Sequence, residues 1–337
     1  MSTLMPSHGP APASRRVAGT ETPLFSIITP MYNVADVVGS AIRSAQAQTL
    51  GDFELIAIDD GSTDGSAELV RELGHGDPRI RVEAQPNAGA NAARNRAMAM
   101  ARGRYITFLD SDDLKLPTYL ETVHAALEAN PNAGLAFTDA YVLDDETRRI
   151  YRRTFMEAAG PYDPPPRDRV EFMEKLLETC FIPFSATTLR RSVIEEIGGF
   201  DPRLAGTDDY ELWLRVLARG YGAVRAPGTL AVMRRRAGQI SGDLPVMWRN
   251  LRQAYLLVAE EFDIPESVRL RARRRADQLL PAIADAERRA AESRDMGTAG
   301  RAFRSVWSLR MKLTWVRYWR VRPPEDIAAV FPDLRRR

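Results

Sequence analysis

The sequence predicts an α/β protein, a mainly parallel sheet flanked by helices, with a helical C-terminal extension. Three observations lead there. Short apolar runs alternate with helix-period stretches from Leu24 to Thr138. Three polar clusters, Thr29–Asn33, Asp59–Asp64 and Asp110–Asp113, fall at the ends of such runs, and open parallel sheets bind ligands beyond the carboxyl ends of their strands. After Pro245 the pattern is helical nearly to the end, with breaks near Pro265 and Pro281.

Taken in order, Phe25–Pro30 reads as a strand stopped by Pro30. Val34 to Gln48 reads as a helix with Val34, Val37, Val38, Ala41, Ile42 and Ala45 on one face. Phe53–Asp59 is a second strand, and Gly61–Asp64 is a turn capping a short helix through Leu73. Arg79–Val82 is a third strand, and Gly89 to Arg102 is an Ala- and Met-rich helix. Arg104–Phe108 alternates and then turns fully apolar, as a buried strand does, before Leu109-Asp110-Ser111-Asp112-Asp113. A helix from Pro117 to Asn130 and a strand at Leu135–Thr138 follow. Thr147 to Arg169 is less regular, with a loop at Pro164-Pro165-Pro166. Val170–Thr179 is a helix, Ser185–Leu189 a strand, and Ser192–Ile197 a helix ended by Gly198-Gly199. Thr207-Asp208-Asp209 opens a helix, Tyr210–Arg219, with Thr207 or Asp208 as its cap. Thr229–Arg235 is an alternating edge strand that closes the sheet.

Composition bounds the class. The 337 residues carry a net charge of only +2, although the C-terminal third is Arg-rich. One cysteine, Cys180, excludes an internal disulfide framework and fits a reducing compartment; in its apolar setting it reads as a small core residue rather than a nucleophile. No apolar run approaches the roughly 18 to 20 residues that cross a bilayer. The first 22 residues lack an apolar segment and read as a flexible arm. These features predict a cytoplasmic protein.

The acidic stretch carries the first chemical argument. Three carboxylates within four residues repel one another, and protonation or a cation must relieve them. Hard oxygen donors on a loop suit Mg²⁺ or Mn²⁺. The plainer reading is an acidic turn, with Asp113 capping the helix that starts near Pro117. The loop from Asp60 fails as a calcium site because Arg71 stands where the bidentate Glu belongs. No G-x-G-x-x-G follows the first strand, and no P-loop is present.

Several stretches together resemble family 2 glycosyltransferases of the GT-A fold, a Rossmann-like mixed, mainly parallel sheet. They are Ser26–Asn33, Phe53–Asp64, Asn87-Ala88-Gly89, Ala93-Arg94-Asn95, Gly103–Asp113, Gly198-Gly199-Phe200-Asp201 and Asp208–Arg215. Their order and spacing carry the resemblance, which covers roughly Leu24 to Gly242. It implies a GT-A domain at 23–243; composition adds the flexible arm at 1–22, and the pattern after Pro245 a helical region at 244–337, which has no counterpart in the family's common motifs.

The resemblance also implies an inverting transfer from a nucleotide-diphosphate sugar, with a UDP-sugar favoured, to a glycan, lipid-linked or small-molecule hydroxyl. Carried onto this chain, Thr29, Pro30 and Tyr32 line the nucleotide pocket, Asp60 hydrogen-bonds the base, and Arg94 sits near base and phosphates. Asp110-Ser111-Asp112 matches the family's D-x-D: Asp110 approaches the ribose or the metal, and Asp112 ligates Mn²⁺ or Mg²⁺. Asp209 matches the catalytic base, whereas as an isolated residue it reads as a helix cap. Likewise Asp60 reads as a turn residue and Arg94 as a surface arginine. Two departures stand out. Arg236 occupies the place of a His in Met233–Ser241, where it could bind diphosphate directly. A Q-x-x-R-W segment of processive members is absent, which points to single-sugar transfer.

Residues 301–322 are rich in Arg, hold no acidic residue, and include Trp307, Trp315, Tyr318 and Trp319. They are read first as bundle helices packing their aromatics on the sheet domain, and second as a peripheral contact with the inner face of a membrane. Nucleic acid is not expected as a partner. Two other classes compete: a non-catalytic sugar-nucleotide or glycan binder of the same fold, favoured only by Arg236, and a nucleotidyltransferase. The latter needs a Gly- and Arg/Lys-rich loop where this chain has Tyr32-Asn33-Val34.

Overall fold

A computed structural model describes residues 22–160, 162, 165–236 and 244–295. The expected arm at 1–22, except its last residue, and the basic aromatic stretch at 301–322 lie outside the described residues. The first half builds strands β1 (Phe25–Met31), β2 (Phe53–Asp59), β3 (Ile80–Ala84) and β4 (Tyr105–Phe108) around helices α1 (Val38–Gln46), α2 (Ser66–Leu73) and α3 (Ala90–Met100). All adjacent pairs among these strands are parallel. Their side chains alternate between two cores, the period-2 rule of a strand. Ile28, Ile56, Ile58, Ile106 and Phe108 enter one, with Ala93 and Ala97 of α3. Phe25, Ile27, Met31, Leu55 and Ala57 enter the other, with Val38 and Ile42 of α1. Burial on both faces explains why these strands read as continuous apolar runs.

The second half adds β5 (Leu114–Lys115), α4 (Tyr119–Ala129), β6 (Ala133–Asp144), β7 (Arg149–Ile150), α5 (Phe155–Ala159) and α6 (Arg169–Glu178). A 3-10 turn (Phe184–Ala186), β8 (Thr187–Arg190), α7 (Arg191–Ile197), α8 (Asp208–Ala218) and β9 (Gly222–Arg235) follow. The strand order is β3-β2-β1-β4-β8-β6-β9-β5, with β7 on β6. β8 is antiparallel to both β4 and β6, whereas β6 and β9 are parallel. The sheet is therefore mixed.

Four sequence readings need correction. Pro30 does not stop β1: it lies inside the strand, opposite Ile58. Leu109 N–H donates to the Ile28 carbonyl, so the next residue facing that way is Pro30, and its missing N–H falls where β4 has already ended. β6 extends far beyond Thr138 because the buried Asp139 carboxylate is satisfied by the Ala140 and Met156 N–H groups and the Thr154 hydroxyl. β9 is not an edge: it lies between β6 and β5. Asp113 caps no helix: its Oδ1 accepts the Arg234 N–H across the sheet, at 2.8 Å.

The C-terminal helices α9 (Leu244–Glu261), α10 (Glu266–Gln278) and α11 (Leu280–Asp295) begin close to the expected prolines. Tyr255, Val258, Val268, Ala272 and Ile283 join the same core as Phe108, Trp213 and α6. Among the described residues no helix is long and apolar enough to cross a membrane.

Gly103 shows how tightly β4 enters the sheet. A Cβ there would lie 2.4 Å from the Ser26 backbone nitrogen, and the Gly103 N–H donates to Ser26 Oγ, which donates to Glu54. Gly103→Ala should cost about 1–3 kcal/mol in denaturant unfolding, the range for forced overpacking. An unchanged midpoint would contradict this packing.

Candidate active site

The ends of β1 and β2 are laced together. Ser62 Oγ accepts the Asn33 N–H, Asn33 Oδ1 accepts the Thr63 N–H, and Asp64 accepts the Ala35 N–H and the Ser66 N–H and hydroxyl. Asn33 has a φ of 50°, a region that Asn tolerates better than most residues. Thr29 is fully buried, and its Oγ1 has no hydrogen-bond partner among the described residues. Pro30 is buried, and Tyr32 is 50% exposed on the rim. Asp60, 3% exposed, braces the approach to α3: its carboxylate accepts from the Gln85 amide and from the Ala88 and Gly89 N–H groups, each at 2.8 Å.

Helix α3 sets the centre of the site. Its Asn95 amide donates to the Phe200 carbonyl and its Oδ1 accepts the Phe200 N–H. A side chain at Gly199 would put Cβ 2.3 Å from that Oδ1, which is why a glycine precedes Phe200. One residue earlier, the Arg94 guanidinium donates to Asp110 Oδ1 at 2.9 Å, to Asp208 Oδ2 at 3.0 Å and to Asn91 Oδ1 at 3.2 Å. It lies 4.4 Å over the Phe184 ring. Burial opposes its charge, but Asp110 and then Asp208 outweigh burial and raise its pKa. Arg94 is thus an internal ion-pair partner and not a solvated surface arginine.

The acidic turn after β4 gives its carboxylates different surroundings. Asp110 is paired with Arg94, and its N–H donates to Ser185 Oγ. Asp112 is half-buried, and its carbonyl accepts from Arg234 Nε. Ser111 is buried beneath them. Asp113 is buried, and burial, then Asp112 and Asp110, push its carboxyl well above the ordinary range. Arg234 is itself buried and reaches Asp145 and Ser40 as well. Arg236, two residues on, pairs with Asp36 at 3.2 Å on the loop after β1.

At the start of α8, Asp208 is buried; its Oδ1 accepts the Gly206 N–H and its Oδ2 accepts from Arg94. Neither Thr207 nor Asp208 caps this helix with its side chain. Burial raises the Asp208 pKa against the pull of Arg94. Asp209 is half-buried and accepts only the N–H of its neighbour Tyr210 at 2.8 Å among these bonds. Burial, then the adjacent Asp208 charge, push its carboxyl up to about 7. Burial also pushes the Cys180 thiol up, so it is an unreactive packing residue.

The structure therefore gathers Arg94, Asp110 and Asp208 by direct contact, with Asp209 next to them in α8. Asp60 and Tyr32 belong to the neighbouring strand ends. Ser185, Arg234 and Asp208 escaped the sequence reading as contributors. Arg234 had one signal, its place two residues after Val232 in an alternating strand; Ser185 had none. Among the described residues no three His, Cys, Asp or Glu side chains are placed to enclose a metal ion. Asp110 and Asp112 do offer two hard oxygen donors on one turn. That set fits Mg²⁺ or Mn²⁺, which take one or two carboxylates and complete their shell with phosphate and water.

The model of the family described as "Glycosyl transferase family 2" matches residues 26–198, more than half of the chain. The chain belongs to this family. The family match takes in Thr29, Asp60, Arg94 and Asp110–Asp112, and it ends before Asp208, Asp209 and Arg236. Among curated relatives, the uncharacterized glycosyltransferase YibD of Escherichia coli is 41% identical over 99 residues, 29% of each chain. The chondroitin synthase of Pasteurella multocida is 31% identical over 196 residues, 58% of this chain and 19% of that one. The matches span less than a third of the length of these relatives. Among solved structures, the mannosyltransferase PcManGT of Pyrobaculum calidifontis, in complex with GDP-Man and Mn²⁺, has a TM-score of 0.58 at 20% identity, covering 86% of this chain and 81% of that one. The 1–349 portion of S. aureus TarS in complex with UDP-GlcNAc has a TM-score of 0.55 at 17% identity, covering 78% and 72%. Both share the GT-A fold of this family 2 member.

The raised Asp209 carboxyl has a thermodynamic consequence. Between its ordinary value of 3.8 and about 7, the folded chain keeps a proton that the unfolded chain has lost. The folded state is favoured by this group at low pH, and that advantage disappears as pH rises through the window. Asp209→Asn, which stays neutral, should melt higher than wild type at pH 8, by roughly 5 °C, and the gap should close near pH 4. Melting curves with a pH-independent gap would show that Asp209 titrates normally.

Proposed function

We propose that this family 2 member is an inverting glycosyltransferase that moves one sugar from a nucleotide-diphosphate sugar, a UDP-sugar first, to a hydroxyl of a glycan, lipid-linked or small-molecule acceptor. The observation that carries this reading is the double ion pair of Arg94, which ties Asp110 of the acidic turn to Asp208, next to Asp209. A donor-holding turn and a carboxylate with a pKa near neutrality thereby share one rim. The bound nucleotides of similarly folded proteins support a nucleotide-sugar donor: UDP-GlcNAc in TarS, and GDP-Man with Mn²⁺ in PcManGT.

In this mechanism Thr29, Pro30, Tyr32 and Asp60 border the nucleoside, and Arg94 offsets the negative charge of the phosphates. Asp112, with Asp110, would hold a divalent cation, Mn²⁺ or Mg²⁺, whose Lewis acidity stabilises a leaving nucleoside diphosphate. Asp209 accepts the acceptor's hydroxyl proton while that oxygen attacks the anomeric carbon from the face opposite the diphosphate. The bond from the anomeric carbon to the diphosphate oxygen breaks, the nucleoside diphosphate departs, and the anomeric centre inverts. A base of pKa about 7 is well matched to this work near neutral pH.

Assays with UDP- and GDP-sugars, reading transfer or donor hydrolysis, test the proposal. Asp209→Asn should lower kcat by about 10²–10⁴-fold, the usual contribution of a general base, while nucleoside diphosphate still binds. For wild type, kcat/KM should rise with pH and level off above about 7, as Asp209 loses its proton. If wild type and variant are equally inert across donors and acceptors, the chain is instead a binding protein of the same fold.

A further inference from the structure

Lys115 is a lysine where the fold offers no solvent. It is the second residue of β5, directly after the acidic turn, and it is fully buried. Its N–H donates to Ser44 Oγ of α1 at 3.2 Å. Its ammonium donates to the Ser185 carbonyl and lies 3.6 Å over the Tyr119 ring. Ser185 is the middle residue of the 3-10 turn that faces the acidic turn. Its hydroxyl accepts the Asp110 N–H at 3.1 Å, and it stands close enough to Asp113 to temper the rise of that carboxyl's pKa. A chain of contacts results: Lys115 holds Ser185, and Ser185 holds Asp110, the first residue of the Asp110–Asp113 turn.

We infer that Lys115 is a positioning residue: by gripping the Ser185 carbonyl it fixes the Asp110–Asp113 turn with Asp113 inward and Asp110 and Asp112 on the ligand side. The inference rests on reading this rim as the nucleotide-sugar site. Packing alone does not call for a lysine here. A buried ammonium must be desolvated, and an apolar side chain of similar length avoids that penalty, so replacing such a group is often neutral or stabilising. Burial indeed pushes the Lys115 pKa well down, against the pull of Asp113 and Asp110. What methionine cannot supply is the donor to Ser185. Arg94 and burial relieve the charges of the turn, and the Lys115–Ser185 contact fixes the backbone at Asp110 that carries them.

The test compares wild type, Lys115→Met and Ser185→Ala by calorimetric titration of UDP and GDP with Mn²⁺, and by amide hydrogen exchange of the 109–115 segment without nucleotide. Lys115→Met should keep or raise the melting temperature, weaken the better nucleotide by about tenfold, as loss of an outer brace does at ligand sites, and speed exchange in the turn. Ser185→Ala should act in the same direction, and the double variant should be little worse than the worse single one. A folded Lys115→Met with unchanged affinity and exchange overturns the inference. If Lys115→Met does not fold, Ser185→Ala decides in the same way. If wild type binds neither nucleotide, the nucleotide-sugar reading of the site fails; unchanged exchange in Lys115→Met would then overturn the brace as well, and faster exchange would establish it without a donor.

Discussion

The site depends on one guanidinium held between carboxylates of two distant segments. Arg94 donates to Asp110 after β4 and to Asp208 at the start of α8. Around it stand Phe184 and Phe200, whose ring centres lie 4.4 and 5.6 Å from the guanidinium carbon. Away from water these attractions are stronger than at the surface. The same setting makes an unpaired charge expensive: breaking a buried pair by removing one partner typically costs ~3–5 kcal/mol. The position of Arg94 is in turn fixed by its neighbour Asn95, which clamps Phe200, and by Arg215, which donates to the Ile197 and Gly199 carbonyls and pairs with Glu211. The second half of the chain is thereby registered on the first.

The acidic turn shows how local repulsion becomes useful. Three carboxylates in four residues cannot all stay exposed and charged without relief. The fold divides them. Asp113 points inward to the Arg234 N–H with a raised pKa, Asp110 is neutralised by Arg94, and Asp112 remains at the half-buried edge. Arg234 and Lys115 hold the turn from either side through backbone carbonyls of Asp112 and Ser185. Asp209 benefits from the same crowding, because the neighbouring Asp208 charge adds to burial in raising its carboxyl.

Much of this was readable from the sequence where a short-range rule applied. β1, β2 and β4 were visible because strands buried on both faces are continuously apolar. Helix α1 followed from the periodic apolar face of Val34–Gln48, and α7 from the glycines Gly198-Gly199 that end it. The rule failed where a tertiary contact satisfies a polar group. Thr138-Asp139 looked like the end of a strand, yet contacts from Thr154 and Met156 carry β6 through it. The two-residue strand β7 and the five-residue helix α5 are too short for a periodic signal, although Thr154 and Glu157 form a capping box. For the site, the acidic turn, Asp60 and Asp209 stood out as residue types at strand and helix ends. The Arg94 bridge, Ser185, Arg234 and Lys115 did not, since the partners that place them, such as Asp208 for Arg94, Asp112 for Arg234 and Ser185 for Lys115, are distant along the chain.

On the proposed mechanism, one rim organised by Arg94 holds both the donor diphosphate and the catalytic carboxylate. A crystal structure of the protein with UDP or GDP and Mn²⁺ tests it most directly. The diphosphate should lie against the Asp110–Asp112 turn, within hydrogen-bond or water-bridged reach of Arg94, with the Asp209 carboxylate open to the space beyond the terminal phosphate. A nucleotide bound elsewhere, or an Asp209 carboxylate sealed from that space, would contradict it.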